Sequence, residues 1–580
     1  MNKVSINSAE IAAKEALDSV YACIAERKSF VLEAGAGAGK TYSLIHALKY
    51  LVKTQGDELL RRDQKIACIT YTNVARDEIE SRTDRHPVIY SATIHSFCWS
   101  LIKDFQPRLR EILPRIDKWP ERLKETGEIN NHTIKYELGY PKVEDKQIML
   151  GHNDVLSITT RLMEDIKFRK ILTFRYPIIF IDEYQDTDKG FVESVKSLFF
   201  DNNDGPLFGF FGDHWQKIYP TGCGKIEHSS LEVIDKRANF RSNKTIVECL
   251  NRMRPELTQE VNNLNEGSVI VYHTNEWKQE RRSGNHWKGD LPSEIAHQYL
   301  EMTKLELMTS DWDFSSDKTK ILMLTHNLLA KEQGYQNIAD VFPHNESYIK
   351  KEDDYIAFFG NVLEPVCIAY ENRKFGEMFA ILDGKMPVIR SHKDKIEWAT
   401  NMDTLLSLRK TGTIGMIIEH LRKTKYPSLP ENIEKIETKL DLMSKLENQS
   451  ESEIKLFERI MKLKAISYLE VVALISFIEQ KTPFATKHGV KGAEFENVLI
   501  VFGRGWNSYN FSQMLEYALK DVPLAKVNTF ERNRNLFYVA CSRPKKRLAL
   551  LFTQELSKQA IETLSNWFGD NSLHSLPNLK

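Results

Sequence analysis

Cysteine is sparse in this sequence. Seven residues in 580 are scattered, and none forms a Cys-x-x-Cys pair. That argues against a disulfide framework, a zinc ribbon or an iron–sulfur cluster, and it fits a cytoplasmic setting. Long apolar runs are missing too. None reaches the ~18 residues that a membrane span needs, and stretches such as Val471–Ile478 have the length of a buried element. The segment Met1–Glu10 has no basic stretch followed by an apolar one, so no secretory leader and no membrane partner are expected. Neither sign of charge is in excess, since Lys+Arg and Asp+Glu both number 80. A neutral sum points to no partner, yet local patches suffice for nucleic acid, which stays admissible. Repeats and low-complexity tails are absent. With 28% charged and 42% apolar residues, wholesale disorder is excluded. The length suits roughly three to five domains.

What is present begins with the short apolar strand Ser29–Glu33. It runs into Ala34-Gly35-Ala36-Gly37-Ala38-Gly39-Lys40-Thr41, after which Leu44, Ile45, Leu48 and Leu51 follow at helical spacing. More apolar strands are expected at Ile66–Thr70, Pro177–Ile181, Leu207–Phe211, Ile321–Thr325, Val498–Phe502 and Arg547–Phe552. Short apolar strands separated by helices imply an α/β fold with parallel, doubly wound sheets. From roughly 331 to 480 the texture changes to charged amphipathic helices. Ile433, Ile436, Leu440 and Met443 share one face, and Ile454, Phe457 and Met461 repeat the pattern. A helical insertion with its own core is expected there, because the heptads are too short for a coiled-coil arm. A second insertion, roughly 99–150, is polar and holds several prolines.

Two motifs carry chemistry. Ala34–Thr41 matches a phosphate-binding loop with Ala34 in place of the usual first glycine. Gly35, Gly37 and Gly39, with Ala36 and Ala38, let backbone N–H groups turn inward. Lys40 supplies charge to the β/γ-phosphates, and Thr41 offers a hydroxyl to Mg²⁺. The strand ending in Asp182-Glu183 delivers two carboxylates. Asp182 would hold Mg²⁺, and Glu183 would orient or deprotonate water. The carboxylate pair alone is weak, but beside the loop it is strong; together they define a nucleotide hydrolase.

Further segments resemble superfamily 1A DNA helicases of the UvrD/Rep/PcrA type, in family order and over more than half the chain. Asp182-Glu183-Tyr184-Gln185-Asp186-Thr187 resembles the Asp-Glu-x-Gln-Asp signature. Gly212-Asp213-His214-Trp215-Gln216-Lys217-Ile218-Tyr219 resembles the third motif, and Asn239-Phe240-Arg241-Ser242 the fourth. Thr486 through Phe495 and Arg534 through Arg543 resemble the fifth and sixth. The resemblance implies two RecA-like parallel-sheet nucleotidase cores, each with a mostly helical insertion. Core 1 would take 1–98 and 151–252 around the insertion 99–150; core 2 would take 253–330 and 481–580 around 331–480. ATP and Mg²⁺ would bind between the cores. Gln216 would sense the γ-phosphate, and Arg241 and Arg543 would neutralise transition-state charge on it. Phe240 would stack on adenine. Gly492 and Glu494 would lie by the nucleotide, Glu494 near its ribose. Thr70, Tyr71, Asn73, Thr93, His95, Tyr219 and His488 would contact single-stranded or tailed duplex DNA. Packing and helix capping are the plain alternatives for these aromatics and hydroxyls.

Four departures qualify the resemblance. The region before the loop lacks the glutamine that reads adenine, and Glu10 is the nearest candidate. Thr221 stands where an aromatic is usual. The first insertion is short, and 37 residues follow Arg543, too few for a nuclease domain, so nuclease activity would need another chain. This trimmed layout resembles the UvrD-like subunit of Gabija-type antiphage systems, which works beside a nuclease. Two readings follow: a 3′–5′ DNA helicase, or a DNA- or nucleotide-sensing subunit of a helicase–nuclease complex with little unwinding.

Overall fold

The computed structural model describes residues 7–124, 129–136, 141–284, 287–323, 326–342, 346–382, 390–443, 451–479, 482, 484–485, 493–504 and 509–579. Strands β1 (Phe30–Ala34), β2 (Ile66–Thr70) and β3 (Ile89–Thr93) come first. β4 (Thr133–Tyr136), β5 (Lys142–Val143) and β6 (Gln147–Leu150) form a small separate sheet. β7 (Ile178–Asp182), β8 (Leu207–Gly212) and β9 (Glu232–Lys236) then return to the first. Its order is β3-β2-β7-β8-β1-β9, parallel throughout. β10 (Ala238–Asn243) and β11 (Glu260–Asn263) pair with each other. The second large sheet takes β12 (Ser268–His273), β13 (Thr319–Met323), β14 (Phe484–Ala485), β15 (Phe495–Phe502), β16 (Pro544–Phe552) and β17 (Leu573–Ser575). It runs β14-β13-β15-β16-β12-β17, again parallel. The fold is α/β with two parallel sheets; of the expected strand Ile321–Thr325, the last two residues lie outside the described set.

Helices cover both faces of the first sheet, which is why its central strands read as unbroken apolar runs. Side chains alternate across a strand, so each strand feeds two cores. Phe30, Leu32, Ile66, Cys68, Phe180 and Phe211 pack on one face. Val31, Ala67, Ile69, Ile179, Ile181 and Phe210 pack on the other.

That second core runs on into the first insertion through Leu109, Trp119, Ile134 and Ile148. The insertion is not mostly helical, as expected, but mixed: short helices Gln106–Ile112 and Trp119–Arg122 stand beside β4, β5 and β6. Prolines early in each helical turn start the helices without extending them, and alternating burial along β6 marks a half-covered strand. The second insertion is helical, and among the described residues its core is continuous with that of the second sheet rather than separate. Ile414, Ile433, Leu463 and Tyr468 share one buried cluster with Ile321, Met323, Leu499 and Leu551 of the second sheet. The expected seam holds at Ile433 and Leu440. On the helix Glu451–Ala465, Ile454 and Met461 are exposed, and Ile460 and Leu463 are buried instead. Among the described residues, no helix is long and apolar enough to cross a membrane.

Gly209, midway along β8, sits where the rings of Phe30 and Phe180 meet. A Cβ there would fall 2.7 Å from each. Gly209→Ala should therefore overpack the sheet and cost about 1–3 kcal/mol. Thermal unfolding followed by circular dichroism checks this; an unchanged Tm would mean that the two rings can move apart freely.

Candidate active site

All carboxyl ends of a parallel sheet lie on one edge, the usual place for ligands in such folds. β1 ends at Ala34, β2 at Thr70, β3 at Thr93, β7 at Asp182, β8 at Gly212 and β9 at Lys236. That edge thus collects motifs far apart in sequence. Gly37 and Gly39 both take φ 74°, which favours glycine. Gly37 has a second reason: a Cβ would lie 2.8 Å from Asn239 Oδ1 and 2.9 Å from Arg241 Cβ. The fourth motif packs directly on the loop. Asn239 Nδ2 donates to the Ala36 carbonyl at 3.0 Å, and the Phe240 N–H donates to the Gly37 carbonyl at 2.9 Å. Gln259 supports the loop from below, its Nε2 donating to the carbonyls of Ala36 (3.1 Å) and Ala238 (2.8 Å). Ala34, Ala36 and Ala38 are buried, and a side chain at Gly35 would strike Gln259. Lys40 and Thr41 open the helix Lys40–Arg61, whose free N–H groups face the loop.

Asp182 is buried at the end of β7, and Glu183 follows in the left-handed region at φ 50°. A non-glycine residue held there is strained, as functional residues often are. Lys40 Nζ stands 3.7 Å from Glu183 Oε1. Gln185 donates to Glu183 through Nε2, while its Oε1 accepts from the Asp213 N–H at 3.0 Å. Asp213 is fully buried. It takes Arg254 Nη1 at 2.6 Å, Gln216 Nε2 at 2.8 Å and the Trp215 N–H at 3.0 Å. Burial alone would raise its carboxyl, but Arg254 and then Lys40 outweigh that and hold it below the ordinary value. Glu33, Asp213 and His214 lie close enough to share a cation, yet Arg254 already supplies positive charge there, with Nη2 3.8 Å from Glu33. Trp215 is pressed between elements, with the Arg534 guanidinium 3.9 Å from its ring and Tyr538 edge-on at 5.3 Å.

The amino ends of β15 and β16 meet this edge. Arg241 Nε pairs with Glu494 at 3.1 Å, and its Nη1 donates to the Ser542 carbonyl at 3.0 Å. Arg543, just before β16, is 1% exposed. Its Nε donates to the Val539 carbonyl at 3.1 Å, while Nη2 has no partner among the described residues. Burial first, and the neighbouring Arg241 second, push this guanidinium down to about 9. Phe240 is half-exposed near the loop. Glu10 is used otherwise: it closes a capping box with Asn7 at the helix Ser8–Ala25. Gly492 lies outside the described residues.

The residues expected at DNA gather less tightly. The rings of Tyr71 and Tyr219 stack at 4.8 Å, and Tyr71 is partly exposed. Thr70 is buried and donates to the Thr72 carbonyl at 3.0 Å. Asn73 starts the helix Asn73–Arg82 and accepts from Arg76 at 3.1 Å. Thr93 caps the helix Ile94–Ile102. His95 lies 4.7 Å from the His152 ring; burial, then that neighbour, lowers it to about 4, so it is neutral at pH 7. His488 lies outside the described residues.

Comparisons agree with this geometry. An AAA domain model matches residues 18–221, and a UvrD-like helicase C-terminal domain model matches 371–555. Residues 371–555 are thus similar to the C-terminal domain of UvrD-like helicases, and residues 18–221 to an AAA domain. It is 26% identical to the Gabija protein GajB of Bacillus cereus (strain HuB5-5) over 701 aligned positions, covering 96% of this chain and 97% of that protein. It is 24% identical to the ATP-dependent DNA helicase PcrA of Staphylococcus aureus over 334 positions, 47% of this chain and 41% of PcrA. The sequence alone did not mark Gln185, Asp213, Trp215, Arg254 and Gln259 as candidate site residues. The first three stood inside quoted motifs. Arg254 and Gln259 belong to no local pattern.

Arg254 is the partner that keeps Asp213 charged. Arg254→Met should cost about 3–5 kcal/mol by leaving a buried carboxylate unpaired. Because the folded Asp213 value is lowered, its stabilisation is complete above the ordinary value of about 4 and is lost as pH falls through the folded value. The stability gap between wild type and variant should therefore be full at pH 7 and close as pH falls toward 3. Urea unfolding across pH 3–7 reads both effects, and a gap that does not change with pH would refute the pairing.

Proposed function

We propose that this chain is an ATP-dependent DNA motor, a 3′–5′ helicase or translocase. The observation that carries the reading is the meeting of Lys40, Glu183, Arg241 and Arg543 across two parallel sheets. ATP would lie on the loop 34–41, with Phe240 against adenine and Glu494 near the ribose. Thr41 and Asp182 offer a hydroxyl and a carboxylate, hard oxygen donors suited to Mg²⁺, which would neutralise phosphate charge when bound. Lys40 would exchange its Glu183 partner for phosphate oxygens. Glu183 would then be released to orient or deprotonate the attacking water. Arg241 and Arg543 would stabilise charge on the equatorial oxygens of a loose transition state. Gln216, held by Asp213, would report the γ-phosphate state to the helix Val527–Cys541 through Trp215. Closure on ATP and opening after hydrolysis would ratchet a strand past Tyr71 and Tyr219.

A second reading has its own support. The likeness to GajB covers almost the whole chain, whereas that to PcrA covers about half. The chain would then serve antiphage defence beside a nuclease subunit and sense DNA or nucleotide with little unwinding. Thr221 and the small first insertion favour this version. Steady-state ATP hydrolysis with and without single-stranded DNA, followed by forked duplexes tailed on either strand, separates the two. Displacement from a 3′ tail supports the first, and hydrolysis without displacement supports the second.

Lys40→Ala should abolish hydrolysis in a folded protein; wild-type turnover would sink the site assignment. Arg543→Ala should still bind ATP but lose most turnover, about 10³-fold or more for an arginine of this kind. A rate near wild type would exclude the second sheet from the reaction.

A further inference from the structure

Lys236 ends β9 beside β1, in register with Ala34, and is 1% exposed. Its Nζ donates to the Gly39 carbonyl at 3.0 Å and to Ser43 Oγ at 2.8 Å. Gly39 is the left-handed residue before the helix Lys40–Arg61 and offers it no side-chain cap. The ammonium also lies 5.7 Å from the Tyr42 ring. Burial lowers its pKa to about 8, and no carboxylate among the described residues acts on it, so it is mostly charged at pH 7 without a counter-ion. Such burial is unfavourable unless an anion completes it. A neutral amide could make the same two hydrogen bonds. What the lysine adds is charge, in a dry position directly behind the phosphate loop.

We infer that Lys236 is a second cation of the phosphate loop, a positioning residue that fixes the Gly39 peptide and whose missing counter-charge is the nucleotide's polyphosphate. This rests on the nucleotide-site reading above. The lysine stands behind the loop and touches no reacting atom, so it acts on affinity for phosphates and leaves the chemical step alone. Its contribution grows with phosphate number and vanishes for adenosine.

The test uses the full chain with Lys236→Gln, which keeps donors to Gly39 and Ser43, and Lys236→Met in case one variant does not fold. The KM for ATP should rise about tenfold, as expected for one poorly screened charge near an anion, while kcat stays within about twofold. Calorimetric affinity should fall most for ATP, less for AMP and not at all for adenosine. Lys236→Arg should recover part of the loss. A wild-type KM in the neutral variants overturns the inference, as does an equal loss for ATP and adenosine, which would mark a purely structural prop. A wild-type chain that neither binds nor hydrolyses ATP overturns the site reading itself; hydrolysis by Lys236→Gln with a wild-type KM overturns Lys236 alone.

Discussion

Asp213 and Arg254 face each other at 2.6 Å with almost no water on either. Neither charge is tolerable there alone, so the pair fixes where two distant parts of the chain must meet. Asp213 follows β8, at the edge of the first sheet. Arg254 follows the helix Lys244–Met253, where the chain passes toward the second sheet. The guanidinium lies 5.3 Å from the Trp215 ring and 5.9 Å from that of Tyr538 on the helix Val527–Cys541. The carboxylate takes Gln216, and its backbone N–H binds Gln185, which reaches Glu183. One ion pair therefore lies between the carboxylate proposed to handle water and the helix that precedes Arg543.

The surroundings of that pair are rich in incompletely answered positive charge. Arg543 keeps an Nη2 with no partner among the described residues and is pushed down to about 9. Lys40 stands 3.7 Å from Glu183, a loose contact. Arg241 leans on Glu494, which also serves Lys545 at 2.6 Å. Cations held in a dry cleft are strained by burial and relieved by an anion. Donors fixed in advance need no reorganisation when charge develops. An incoming polyphosphate would relieve this strain from both sheets at once, which is a physical reason for nucleotide to draw the sheets together.

Local order made much of this legible. Phosphate loop, paired carboxylates and strand-end motifs each span a few residues, and a parallel sheet puts all such ends on one edge. The packing partners of those motifs were not legible, because burial and distant pairing leave no periodic trace. Arg254 reads as an ordinary helix end, and Gln259 as a loop residue. β3 and β9 escaped notice because edge strands alternate weakly. The core of the second insertion was misjudged for a related reason. An apolar stripe on a helix shows that it is covered, but not by what, and here the cover is the sheet that the insertion interrupts.

The same distinction separates the hydroxyls from the aromatics on the proposed DNA side. Thr93 caps a helix, and Thr70 is spent on a neighbouring carbonyl. His95 carries no charge at neutral pH. These groups shape backbone at the strand ends and offer little attraction to phosphate. Tyr71 and Tyr219 differ: their stacked rings are partly open to solvent, and Val74, in the helix that follows Tyr71, is 78% exposed. Apolar rings left in water at the carboxyl edge have surface to gain by covering, and a base offers a flat face of matching size. Strand contact here would therefore rest on stacking, with the threonines holding the platform in place.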